Sequence, residues 1–284
     1  MNLISSFLLS MGDFLEYDFL FFALVGTLIL SITCGLISPL IVARKFAFMG
    51  SAVSHSTLFG LSMGLIFFPW ENTFAVFTTT LIITLLLVTF LAQATYRQKL
   101  PTDGLIGIFF TASMGAGILL FHLFARQRGN LMGILFGDIL LLRVEDLWFS
   151  FFLLALFIPA ILIPFKKWIY TSYDEEGAII SGLNVKLFHY SFYFLVTILI
   201  VSSIKIAGTV LINTLLLVPG VFGLKMAKTI PQTFVYSVLF SVIFSCLGLL
   251  LANWQGLPSG ATLSVIQFLA LSLLLLLGKF KKKS

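Results

Sequence analysis

Apolar residues in this chain come in long unbroken runs, and polar residues are confined to the gaps between them. The runs fall at roughly 18–43, 50–68, 73–95, 104–125, 146–165, 187–204, 206–224, 233–252 and 259–278. Most approach or exceed the roughly 20 residues that an α-helix needs to cross about 30 Å of hydrocarbon. Within them, apolar positions do not alternate with polar ones as they would in the strands of a membrane barrel. In lipid every backbone polar group must be satisfied inside its own segment, so helices are the expected form. The pattern predicts an all-α fold, a polytopic transmembrane bundle of about nine spans, with eight possible. A shorter apolar piece at about 130–142 is too short to cross alone and reads as re-entrant or interfacial.

Composition agrees with that architecture. Of the 284 residues, 60% are hydrophobic and 10% charged, against about 25% charged in soluble domains. The net charge of +6 is not a nucleic-acid signature, because its placement is wrong for one. The bases sit at the ends of apolar runs: Arg44-Lys45, Arg97 and Lys99, Lys166-Lys167, Lys225 and Lys228, and Lys279, Lys281, Lys282 and Lys283. That is the distribution of cytoplasmic anchors. With the acidic leader (Asp13, Glu16, Asp18) outside, nine crossings place all of these inside and leave Arg126, Arg128 and Lys205 as exceptions. The leader has no basic segment ahead of Leu3–Met11, so the first span is expected to be an uncleaved anchor. Cys34 and Cys246 lie in apolar runs and form no C-x-x-C pair, which supports neither a disulfide framework nor a redox motif. The whole chain, 1–284, is expected to be one membrane domain.

Three constellations carry candidate chemistry. In Met49-Gly-Ser-Ala-Val-Ser-His-Ser56, Ser51 and His55 stand four residues apart, hence on one helix face. An ionisable residue in a span is a functional-site hypothesis by default, and imidazole suits zinc, copper, iron and nickel. A histidine hydrogen-bonded to a neighbouring helix is the equal alternative. One imidazole with one hydroxyl falls short of the four ligands of a structural zinc site, whereas a pathway ligand must release its ion. Two copies facing each other would supply two imidazoles. Second, Tyr173-Asp-Glu-Glu-Gly-Ala-Ile-Ile-Ser-Gly-Leu183 lies in the longest polar segment, about 166–186. It reads as a short helix with acids in its first turn, ended or turned at Gly182: a solvated connector, or a coupling helix for a motor subunit. Its Glu176-Gly-Ala-x-x-x-Gly182 approaches the E-A-A-x-x-x-G spacing of permeases in ATP-binding-cassette importers. On that reading Glu175, Glu176, Gly177, Ala178 and Gly182 are the coupling residues. Third, acids stand at helix ends. Asp103 is placed to cap the fourth span, Asp138 lies within the short apolar piece, and Glu145 and Asp146 read as structural. His122 and His189 are expected at interfaces rather than on a ligand. Gly60-Leu-Ser-Met-Gly64 and Gly133-Ile-Leu-Phe-Gly137 mark close helix crossings, and Pro219-Gly220 a kink or hinge.

No G-x-x-x-x-G-K-[ST] loop, zincin motif or G-x-S-x-G elbow occurs, so neither nucleotide binding through a P-loop nor hydrolysis is supported.

The chain resembles the membrane permeases of ATP-binding-cassette importers for zinc, manganese and iron. That family's second span opens with L-x-G-D-A-L-S-H-A, which here is Phe48-Met-Gly-Ser-Ala-Val-Ser-His-Ser56. Arg44-Lys45, Asp103–Gly107, Asn130–Asp138, Glu145–Leu147, Lys205–Leu211, Leu216–Gly220 and Leu257–Thr262 match further family segments, in family order, over nearly the whole chain. The resemblance implies a type II importer-like permease in a bacterial cytoplasmic (inner) membrane. It implies a homodimer, two cytoplasmic ABC ATPase subunits and an extracytoplasmic metal-binding protein. It also implies that His55 lies on a metal path, with Ser51 and Asp138 as further candidates, and that Glu176–Leu183 contributes to the ATPase contact. No resident cofactor is implied; the metal is cargo. Ser51 stands where the family has aspartate, which removes a hard charged oxygen and leans the cargo toward zinc, with manganese and iron as alternatives. The sequence leaves two further alternatives. A siderophore or corrinoid permease would want a wide, ligand-poor path. A proton- or sodium-coupled transporter would want carboxylates in mid-span.

Overall fold

In the computed structural model, residues 14, 16–69, 71–97, 102–125, 139 and 144–276 are described. Their regular structure is helical: α1 (Asp18–Ala43), α2 (Met49–Phe67), α3 (Thr73–Arg97), α4 (Thr102–Leu120), α5 (Val144–Leu162), α6 (Phe165–Tyr173), α7 (Glu175–Ile180), α8 (Val185–Met226), α9 (Ile230–Gln255) and α10 (Ser259–Leu276), with a π turn, Phe121–Ala125, after α4. Each apolar run expected to span coincides with a helix or half of one. Among the described residues, seven helices are long and apolar enough to cross a membrane, or eight when Leu154–Leu162 and Phe165–Tyr173 count as one broken span.

The run that falls short is α2. It is 19 residues long, about 28 Å, but it carries Ser51, Ser54, His55, Ser56, Thr57 and Ser62. Protein rather than lipid covers it: Ser54, Ser56, Thr57 and Ser62 are all buried. A helix shielded on most of its circumference need not be uniformly apolar, which is why the apolar runs number nine while seven or eight of the described helices are apolar enough to cross.

The chain divides into two compact units, Met1–Val42 with Phe136–Ile163 and Ile206–Ser284, and Ala43–Leu135 with Pro164–Lys205. In the second, α2 packs on both α3 and α4 through small residues, as membrane helices do where lipid gives no hydrophobic drive for association. A Cβ on Gly60 would lie 2.7 Å from the Thr80 carbonyl oxygen, and one on Gly64 would lie 3.0 Å from that of Val76. These glycines therefore seat α2 on α3 within one chain. Across the other side, a Cβ on Gly117 would meet the Phe59 nitrogen at 2.7 Å. There the Ser62 hydroxyl shares its proton between Leu58 O at 2.8 Å and Gly117 O at 2.9 Å.

The first unit repeats the device. A Cβ on Gly223 would run into the Ser237 hydroxyl, and one on Gly248 would lie 2.8 Å from the Leu263 Cα. Gln267 donates to Ser245 Oγ at 2.7 Å, joining α10 to α9. Within α8 the non-helical residue is Gly208 (φ 70°, ψ 170°), a conformation essentially closed to side-chain-bearing residues. It divides the helix into candidate spans Val185–Ile204 and Ala207–Met226. Pro219 stays inside the second half. The non-helical residue lies close to the boundary expected between the runs 187–204 and 206–224, and the Pro219-Gly220 pair serves as a crossing on α1.

Candidate functional site

On α2, Ser51, His55 and Phe59 form one line at i, i+4 and i+8 that stays partly exposed, while Ala52, Val53, Ser54, Ser56, Thr57 and Leu58 around it are buried. The expected face is therefore real, and it is the accessible face of that stretch. The His55 ring meets the edge of Phe110 on α4, with centroids 4.9 Å apart and planes at 76°. Its Nδ1 is buried and has no hydrogen-bond partner among the described residues. Leaving a buried polar atom unpaired ordinarily costs about 1–3 kcal/mol. A histidine kept for packing would normally fix its tautomer through a partner on that nitrogen. His55 is thus positioned by its helix and by Phe110, with no hydrogen bond to Nδ1 among the described residues. Among the described residues no three His, Cys, Asp or Glu side chains gather as a metal site. Asp138 lies outside the described residues, as do Gly133 and Gly137.

His189 is a structural histidine. Its Nε2 lies 3.1 Å from Ala92 O and 3.3 Å from Thr95 Oγ1, and Thr95 reaches Tyr193 Oη at 3.0 Å. His122 is exposed in the π turn.

The 166–186 segment is two short helices. Asp174 separates them and caps the second: its Oδ1 accepts the Gly177 N–H at 2.9 Å. A Cβ at Gly177 would run into that carboxylate, which accounts for the glycine. Glu175 and Glu176 are exposed in the first turn, where the helix dipole favours them, and Ala178 is fully buried. Gly182, at φ 78°, ends α7: Leu183 N bonds to Ala178 O and Gly182 N to Ile179 O, both at 3.0 Å. This paired closure is the one that calls for a left-handed residue. The pattern of charges did not announce Ile179 and Ile180, which are 59% and 87% exposed. Both stand at the tip of a polar segment, beside the exposed Glu175 and Glu176.

Arg44 makes contacts that neither its charge nor its place in a family segment announces. Its Nε donates to Ser172 Oγ at 2.8 Å and its Nη2 to Thr171 Oγ1 at 3.0 Å. The guanidinium carbon lies 4.5 Å from the Phe192 ring centroid and 5.7 Å from that of Trp168. Burial pushes its pKa down to about 10, opposed by the negative Glu175, so it is still a cation at neutral pH. It borders a cavity of about 380 Å³ that Lys45, Tyr96, Glu175 and His189 also line.

Comparison with known proteins places this geometry in context. A family model described as the ABC 3 transport family matches residues 16–278. The manganese transport system membrane protein MntC of Listeria monocytogenes is 28% identical over 263 residues, 91% of this chain and 90% of that one. The high-affinity zinc uptake system membrane protein ZnuB of Haemophilus influenzae is 25% identical over 268 residues, 94% of this chain and 99% of that one. Among solved structures, PsaBC from Streptococcus pneumoniae in complex with Fab superposes with a TM-score of 0.81 at 25% identity, covering 95% of each chain.

Proposed function

The chain belongs to the ABC 3 transport family and is the multi-pass permease of a bacterial ABC divalent-metal importer, and we propose that zinc is its cargo. The permease is not itself an ATPase: the family's hydrolysis resides on separate subunits, and this sequence holds no P-loop.

The observation that carries the zinc reading is the accessible line of α2. It offers the His55 imidazole, whose buried Nδ1 has no hydrogen-bond partner among the described residues, and the neutral Ser51 hydroxyl one turn before it. Imidazole without a carboxylate is a borderline-soft donor set that suits zinc better than manganese. A second copy of the chain facing this line would double the set to two imidazoles and two hydroxyls, enough to hold an ion in passage and too little to trap it. Asp138 is a further candidate on the path. An extracytoplasmic binding protein delivers the ion. On the cytoplasmic side α7, with Glu175 and Glu176 in its first turn and Ile179 and Ile180 exposed, docks on the ATPase. ATP-driven closure of the ATPases then shifts the segment and alternates access to the path.

One observation favours manganese instead: at 28%, the MntC relative is somewhat more similar in sequence than ZnuB. Uptake of radioactive zinc and manganese by the reconstituted full complex separates the two. ATP-dependent zinc uptake that competes out manganese is expected. Manganese uptake indifferent to zinc would overturn the cargo assignment and leave the importer standing.

A further inference from the structure

The 164–183 segment and the helix bearing Ser51 and His55 belong to the same compact unit, and one side chain connects them. Arg44 opens the five-residue turn between α1 and α2. Its two hydroxyl partners, Thr171 and Ser172, stand directly before Tyr173 and the Asp174 cap of α7. Each of those hydroxyls spends its own proton on a carbonyl within α6: Thr171 on Lys167 O at 2.9 Å, Ser172 on Trp168 O at 2.6 Å. Their lone pairs are therefore the atoms turned to the guanidinium, and the contact has a fixed polarity. Beyond Arg44 the turn has little slack. Lys45 holds a left-handed backbone at φ 59°. Phe46 is buried with its ring 5.5 Å from that of Tyr193 and 6.2 Å from that of Phe192. Met49 N bonds to Phe46 O at 3.0 Å and Ala52 N to Phe48 O at 2.9 Å, so the turn is already bonded into the first turn of α2.

We propose that Arg44 is the joint through which movement of the 171–180 segment reaches the α2 helix, a positioning residue for coupling. This rests on the function proposed above, in which α7 meets the ATPase and α2 lines the path. A planar fork stacked on Phe192 reaches two hydroxyls at once from a fixed geometry; a lysine ammonium has the donors but, on its flexible stem, neither the rigid fork nor the stacking plane. The chemistry of the joint thus demands arginine rather than positive charge.

The test uses the full complex of permease and ATPase in liposomes. Cys34→Ala and Cys246→Ala remove the native thiols, and Phe48→Cys places a maleimide target on a residue that is 61% exposed at the start of α2. With Arg44 intact, ATP should change the labelling rate by about tenfold, an ordinary size for coupling between sites. Arg44→Lys should abolish that response while ATPase co-purification and basal hydrolysis stay at the parental level. Thr171→Ser, which keeps the acceptor, should retain the response. The proposal is overturned by an ATP response that survives Arg44→Lys, by no response in the parent, or by loss of ATPase co-purification in Arg44→Lys, which would make Arg44 a fold staple. Metal uptake, measured on the same liposomes without the label, reports separately on the cargo reading, since the labelling response requires no metal.

Discussion

The backbone N–H of Gly220 in α8 donates to the Ser38 hydroxyl of α1 at 2.7 Å, and a Cβ on Gly220 would lie 2.6 Å from the Ser38 backbone. Pro219 has no N–H of its own to give, and the next residue sends its N–H across to a neighbouring helix. The pair is at once a hydrogen bond and a steric contact, and the two parts separate by mutation. Gly220→Ala forces the helices apart and should cost about 1–3 kcal/mol, the usual range for overpacking. Ser38→Ala loses only the acceptor and should cost about 1 kcal/mol. Thermal unfolding in detergent should rank Gly220→Ala below Ser38→Ala; the reverse order would mean that the hydrogen bond, not the close approach, sets this crossing.

His55 gives up no hydrogen bond from its buried Nδ1 to the described residues when truncated, so His55→Ala should express and assemble with the ATPase normally. Metal uptake should nevertheless fall by at least the ~10–100-fold that follows from disturbing even the groups that orient a metal ligand. Growth under chelation reads the loss. Full growth of the variant would remove His55 from the path.

Ser51 precedes His55 by one turn on the same accessible line. Ser51→Asp adds a hard anionic oxygen there, and hard oxygen donors favour manganese over zinc relative to imidazole alone. The ratio of manganese to zinc uptake should rise. A ratio that does not move would place Ser51 away from the cargo.

At the tip of α7, Ile180 is 87% exposed, so Ile180→Asp should change stability by no more than about 0.5 kcal/mol. Glu176→Arg reverses a charge that the helix N-terminus favours, worth about 0.3–1 kcal/mol. Both should reduce the ATPase that co-purifies with the permease. Unchanged recovery in both would sink the assignment of this helix as the coupling element.

The spans were legible because lipid imposes an unbroken apolar stretch on every helix it touches, and the runs coincide with helices to within a few residues. The α7 helix was legible because its termination is local: Gly182 lies two residues beyond Ile180. What stayed hidden was contact over distance. Arg44 meets Ser172 and Thr171 across 128 and 127 positions, and hydropathy sees in it only a charge at the end of a run. Nothing in the sequence marks Ile179 and Ile180 as exposed. The break of α8 was legible only as the gap between the runs 187–204 and 206–224, and not as a property of Gly208. Proline is a visible breaker, whereas Gly208 breaks the helix through a backbone angle. The reading of Ser51 and His55 as neighbours on one face held because a helix period is all it needed.

The serines, threonine and histidine of α2, sheltered by α3 and α4, have a consequence for how the protein is made. Hydroxyls and an imidazole weigh against partitioning a lone segment from the translocation channel into lipid. Close packing against Gly117, Thr80 and Val76 supplies what lipid withholds. The α2 segment is thus stably seated only once α3 and α4 have been synthesised, and the order of biogenesis is written into the same helix that carries His55.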